Sequence, residues 1–134
     1  MSRYLLDTNA VSDLADNPAG KVAQGIRRVG SENICTSIIV ASEVAFGLEQ
    51  KGSKRLTRQM TAVLSSIAVK PLEAPANRHY GRLRAMFRKQ GKPIGPNDLF
   101  VAAHALALGA VLITDNEKEF VRVPGLKVEN WLRG

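Results

Sequence analysis

Four consecutive apolar residues, Ala110, Val111, Leu112 and Ile113, stand between Gly109 and Thr114. A run this short and this uniformly apolar reads as a strand over 110–114 buried on both faces. Such a strand needs helices above and below it, and the rest of the chain is organised to supply them. Residues 3–6 read as a first strand ending at Asp7, 33–36 as a second, 67–69 as a third and 126–129 as a weak last one. A helix through Val11 and Leu14 follows the first strand, and Asn17 with Pro18 predicts the start of another, ended by Gly30. Further helices are expected over 38–49, from Ser53 towards Leu64, over Ala76–Gln90 and over 97–108, with Gly109 as terminator. Asn116 and Glu119 resemble a capping box for one more short helix. Strands alternating with helices predict an α/β fold, a three-layer sandwich around a mainly parallel sheet of four or five strands. The 134 residues suit one domain, 1–134, large enough for its own core.

Composition excludes several other classes. The single cysteine, Cys35, rules out a disulfide framework or a thiolate metal cluster, and reads as a small buried hydrophobe. His79 and His104 lack the spacing of zinc ligands. His104, in the alanine-rich helix, reads as a packed or hydrogen-bonded core residue, and Trp131 as an anchor for the last strand. The longest apolar run, 99–113, is interrupted by His104 and Gly109 and falls short of the roughly 20 residues a bilayer requires. Asp7 breaks any early apolar stretch, so no signal peptide is expected and the cytoplasm is the expected location.

Charge is distributed unevenly. Between residues 51 and 92 there are 11 basic residues against one acid, Glu73, a net +10 that leaves −3 for the remainder of a chain whose total is +7. On the helix Ala76–Gln90, Arg78, Arg82 and Lys89 share one side, while Tyr80, Leu83, Met86 and Phe87 share the other. Any one of these arginines has an ordinary place on a solvated helix face. Their sum points to a polyanion, and to nucleic acid before membrane, because the apolar face is needed for the core.

The acids fall at the ends of elements. Asp7 follows the first strand and Asp115 the strand 110–114, so both emerge at one edge of a parallel sheet, where such folds bind ligands. Asp98 lies in the first turn of the helix 97–108. Glu43 lies among Val40, Ala41, Val44 and Ala45. Each has an ordinary structural role open to it as a cap, a turn former or a dipole partner. Together they imply a cluster that repels itself: two like charges about 4 Å apart cost roughly 4 kcal/mol at an effective dielectric of 20, against a total stability of roughly 5–15 kcal/mol. Either they protonate or a divalent cation neutralises them. An all-oxygen donor set suits Mg2+, with Mn2+ as substitute. A hard metal beside a basic surface predicts metal-assisted phosphodiester hydrolysis.

Four passages then resemble the PIN-domain ribonucleases, more narrowly the VapC-type toxins of bacterial toxin–antitoxin pairs. They are Leu5-Leu6-Asp7-Thr8-Asn9; the stretch from Thr36 through Ser42-Glu43 to Gly47; Ile94-Gly95-Pro96-Asn97-Asp98-Leu99 on to His104-Ala105; and Leu112-Ile113-Thr114-Asp115-Asn116 to Phe120, then Val123-Pro124-Gly125-Leu126. The resemblance implies that Asp7 and Asp98 are the principal Mg2+ ligands, that Glu43 is a third acid of the site, and that the fourth position is filled by Asp115 or Asn116. It implies that Thr8 and Asn9 steady the site. It also implies cleavage of RNA, often transfer RNA, with inhibition of translation, a homodimer, and a VapB-like antitoxin that covers the site and binds DNA. With the basic helix, it makes Arg78, Arg82 and Lys89 candidate RNA contacts.

Two other functions remain open on the residues alone. One is an RNA- or DNA-binding module that keeps the fold without the chemistry, leaning on the basic stretch. The other is an aspartate-based phosphotransfer enzyme, which wants a second acid where Asn9 stands.

Overall fold

A computed structural model describes residues 2–133. Five strands, β1 (Arg3–Leu6), β2 (Ile34–Ser37), β3 (Ala68–Lys70), β4 (Ala110–Ile113) and β5 (Val128–Glu129), form one sheet in the order β3-β2-β1-β4-β5. Every neighbouring pair is parallel, with Leu5 opposite both Cys35 and Leu112. Parallel neighbours need crossovers, and seven helices provide them: α1 (Thr8–Asp16), α2 (Lys21–Val29), α3 (Ile38–Lys51), α4 (Lys54–Ser66), α5 (Ala76–Gln90), α6 (Pro96–Leu108) and α7 (Glu117–Phe120). The α/β sandwich expected from the alternation is the one observed. The strand order runs outward from β1 to β3, then returns across β1 to β4 and β5. The seam between β1 and β4 is therefore the switch point, where a crevice opens beyond the carboxyl ends of the strands.

The apolar patterning explains the core. All four residues of β4 and all four of β2 are buried, as are Leu5 and Leu6 of β1. Helix α6 is apolar on most sides because it is covered on most sides: Leu99, Val101, Ala102, Ala103 and Ala105 are all buried. α5 keeps the expected bounds and buries Leu83 and Phe87. His104 is buried too. Its Nδ1 is 2.8 Å from Ser37 Oγ, which itself caps α3 by accepting from the Ile39 N–H, so one imidazole joins α6 to the start of α3. Burial holds His104 below its ordinary pKa and keeps it neutral. Trp131 packs down on α2, its ring centroid 5.4 Å from that of Tyr4. Among the described residues, no helix is long and apolar enough to cross a membrane.

Two local expectations are corrected. Asn17 does not open α2. It closes α1, with its side-chain amide donating to Asp13 Oδ1 at 3.0 Å, and α2 starts at Lys21 after Gly20. The bond back to Asp13 satisfies Asn17 where it stands, and the turn through Pro18 is spent reversing the chain. Asn116 precedes α7, but no side-chain cap forms there: its N–H donates to Thr114 Oγ1, and the Glu119 carboxylate pairs with Arg122, 2.9 Å away.

Candidate active site

Asp7 is built into the β1–β4 seam. Its N–H donates to the Ile113 carbonyl at 2.9 Å, extending the ladder by one rung past β1. Immediately afterwards the chain turns into α1, with Asp7 as N-cap. Its Oδ1 accepts from the Thr8 N–H at 2.9 Å, and its Oδ2 from Thr114 Oγ1 at 2.8 Å and Asn9 Nδ2 at 3.5 Å. The side chain is 4% exposed. Burial pushes its pKa up, and the bonds from Thr114, Thr8 and Asn9 pull it part of the way back. Asn9 also spans the seam, accepting from the Asp115 N–H at 2.9 Å and donating to Thr114 Oγ1 at 3.3 Å. The ordinary role of Asp7 as a cap and a place at the carboxyl edge are thus both realised by one residue.

Glu43 reaches the same edge from α3, where its Oε1 accepts from Thr8 Oγ1 at 3.1 Å. Asp98 enters from the first turn of α6. Its pKa is pushed up from 3.8 to about 6, first by burial and then by the negative charges of Asp7, Glu43 and Glu119. Three acids from three other segments therefore act on Asp98 together. Asp7, Glu43 and Asp98 converge, as the element ends predict.

Asp115 does not join them through its carboxylate. Its Oδ1 accepts from Asn130 Nδ2 and from Arg133 Nε, each at 3.0 Å, so its carboxylate is engaged by the C-terminal segment. Asn116 donates its backbone N–H to Thr114 Oγ1 and works as a backbone strut there. The fourth negative group beside Asp98 is Glu119, one turn further along. Local patterning assigns that residue to a cap. The signal that could have found it is the half-buried first turn after β4, where Glu119 directly precedes the fully buried Phe120. Arg78, Arg82 and Lys89 lie exposed on the solvent side of α5, with Arg82 donating to His79 Nδ1 at 2.9 Å.

The chemistry of this donor set fits a hard divalent cation. Asp7, Glu43 and Asp98 offer carboxylate oxygens, and no ion pair among the described residues neutralises any of the three. Each carboxylate oxygen has more than one lone pair, so Asp7 keeps acceptor capacity beyond its hydrogen bonds. Among the described residues, no three His, Cys, Asp or Glu side chains are placed to hold a metal ion together, so an ion bound here would rest on one or two carboxylates and its own waters.

A parallel sheet in this order, with acids from β1, α3, α6 and α7 around its switch point, is the architecture of a PIN domain, and the PIN-domain family profile matches residues 4–126. The chain belongs to the PIN-domain family, within its VapC branch. It is 32% identical over 134 residues to the tRNA(fMet)-specific endonuclease VapC of Shigella flexneri, a match covering 98% of this chain and 99% of that one. The VapBC2 complex of Rickettsia felis, solved bound to a DNA fragment from its promoter, superposes with a TM-score of 0.87 at 31% identity, covering 96% of this chain and 98% of that one. The DNA-bound VapBC of Salmonella typhimurium gives 0.85 at 30% identity, over 98% and 99% of the two chains. PIN-domain nucleases generally use a divalent metal.

Proposed function

We propose that this chain is a Mg2+-dependent endoribonuclease toxin that cleaves RNA, with transfer RNA as the substrate class, and so inhibits translation. The observation that carries it is the placing of Asp7, Glu43 and Asp98 at the carboxyl edge of a PIN fold, with Asp7 seated in the β1–β4 seam and Glu43 bound to the neighbouring Thr8 hydroxyl. A site that stores so much negative charge repels a phosphodiester until a cation is bound. When bound, Mg2+ supplies the positive charge and Lewis acidity that hydrolysis of a phosphodiester needs, and Mn2+ can take its place. Asp7 and Asp98 are the residues that would hold the ion, with Asp115 outside that pair. Glu43 takes the proton of the attacking water, kept in place by the hydroxyl of Thr8. Thr114 and Asn9 fix the Asp7 carboxylate against rotation. Arg78, Arg82 and Lys89 draw the RNA backbone in from the solvent side of α5.

The curated and structural relatives are VapC ribonucleases and VapBC complexes, two of them on DNA, and they support a VapB-like antitoxin as the partner. The antitoxin covers the site, and DNA is reached only through it. The chain acts as one unit over 1–134, as a homodimer that joins a larger complex with the antitoxin, in the cytoplasm.

The test is the sequencing of RNA ends after brief expression of the chain and of its Asp7→Asn and Asp98→Asn forms. New ends should accumulate with the wild type alone, and co-expression of the antitoxin should suppress them. Cleavage at the wild-type rate by either variant in excess Mg2+ would refute the catalytic assignment. RNA binding unaffected by EDTA, without any product, would favour the non-catalytic binding module.

A further inference from the structure

The positive residues of α5 are of two kinds. Arg78, Arg82 and Lys89 face solvent, but Tyr80, Arg84 and Arg88 follow one another at four-residue spacing along a different stripe. That stripe borders a cleft of about 350 Å³ between α5 and the loop 91–96. Phe87, Pro93 and Pro96 give the cleft an apolar wall, and the two guanidinium groups form its rim. Arg84 donates to the Tyr80 hydroxyl at 3.0 Å and lies 6.0 Å from the centre of its ring, and the far face of Tyr80 stacks on Phe100 at 4.2 Å. Neither Arg84 nor Arg88 has a carboxylate partner among the described residues. Exposed proline surface below, with unpaired cations above, matches a base with a phosphate attached.

The cleft is joined to the acids through continuous contacts. The Arg122 guanidinium lies 4.9 Å from the centre of the Phe87 ring, pairs with Glu119 at 2.9 Å, and donates to the Lys92 carbonyl in the loop. Glu119 is one of the charges acting on Asp98. Pro96, on the cleft wall, precedes Asp98 by two residues, about 3 Å of helix rise. The cleft and the acids are thus neighbours on opposite sides of the first turn of α6.

We infer that this cleft is a nucleotide subsite: a single-stranded segment of the RNA substrate, adjacent to the scissile phosphate, places one base against the exposed Pro93 and Pro96 and its phosphate on Arg84 and Arg88. The assignment rests on the ribonuclease reading above. It divides the basic surface of α5 into a stripe that reads a nucleotide and a stripe that attracts the polyanion from a distance.

The experiment measures binding of a short fluorescein-labelled single-stranded RNA by anisotropy, in Ca2+ and over a range of salt. It compares the wild type with the double variants Arg84→Gln/Arg88→Gln and Arg78→Gln/Arg82→Gln. All four side chains are exposed, and melting curves verify the fold. The Arg84/Arg88 variant should bind about tenfold or more weakly, with the salt slope reduced by about 0.7 for the one phosphate the pair holds. Abasic substitution scanned along the RNA should weaken wild-type binding at one position, and Pro93→Ser, at an exposed residue of the cleft, should remove that sensitivity. Wild-type affinity and slope in the Arg84/Arg88 variant, or a loss confined to the Arg78/Arg82 variant, would overturn the subsite while leaving the ribonuclease reading intact. Absence of any RNA binding or cleavage by the wild type would overturn both.

Discussion

Thr114 Oγ1 donates a 2.8 Å hydrogen bond to Asp7 Oδ2, joining the end of β4 to the end of β1 across 107 residues of chain. The same hydroxyl oxygen accepts from the Asn116 N–H at 3.0 Å. Thr114→Val keeps the shape and removes both bonds, together with the 3.3 Å bond from Asn9 Nδ2. The variant should lose about 1–3 kcal/mol of stability, and its cleavage should need roughly 10–100-fold more divalent metal for half-maximal rate, as is usual when a group orienting a metal ligand is removed. A metal titration alongside thermal melts checks this. A wild-type titration curve would show that Asp7 does not depend on Thr114 for its orientation.

Asp98 gives the protein a pH dependence of known sign. Its pKa is raised from 3.8 to about 6, so the folded state disfavours the ionised form. Stability is therefore lost as pH rises from about 4 to about 6 and stays lower above that window. Allowing for partial solvent exposure, the loss is about 1–2 kcal/mol. In EDTA at neutral pH, Asp98→Asn should melt above the wild type, and the difference should close near pH 4. Added Mg2+ should raise the melting temperature of the wild type and leave that of the variant nearly unchanged. A metal-insensitive wild type would remove Asp98 from the ion's ligands.

Glu119 and Asp115 separate in the structure, and activity should separate them too. Asp115 is held by Asn130 and Arg133, a half-exposed arrangement whose ion pair contributes about 0–1 kcal/mol. Asp115→Asn should keep most of the cleavage rate. Glu119→Gln removes one of the charges acting on Asp98 and frees Arg122, so it should lower the rate about tenfold or more. Single-turnover cleavage of one RNA by both variants decides between them, and the reverse ranking would restore Asp115 to the site.

Gly25 is the contact point for the C-terminal segment. A Cβ at that position would stand 2.5 Å from Trp131 Cε3 and 2.6 Å from Cδ2, inside any allowed contact. Gly25→Ala should cost about 1–3 kcal/mol through overpacking and lift Trp131 off Tyr4. Trp131 is the chain's one tryptophan, so a red shift of its emission together with a lower melting temperature would report the displacement directly. Unchanged emission would mean that α2 moves instead.

Much of this protein was legible from neighbours along the chain. The bounds of α5, the caps at Ser53 and Gly109, and the arrival of Asp7 and Asp98 at element ends all follow from rules that act over a few residues. Periodicity and capping are local, and a parallel sheet then carries its strand ends to one edge. Which acid faces inward is another matter. Asp115 and Glu119 sit on the same short connection after β4. Contacts with Asn130 and Arg133 turn Asp115 outward, and Arg122 takes Glu119. The cleft of Arg84 and Arg88 likewise exists only because the loop 91–96 packs across α5. A side chain's final direction is chosen by partners that folding brings from elsewhere, and no pattern within a window of neighbours contains them.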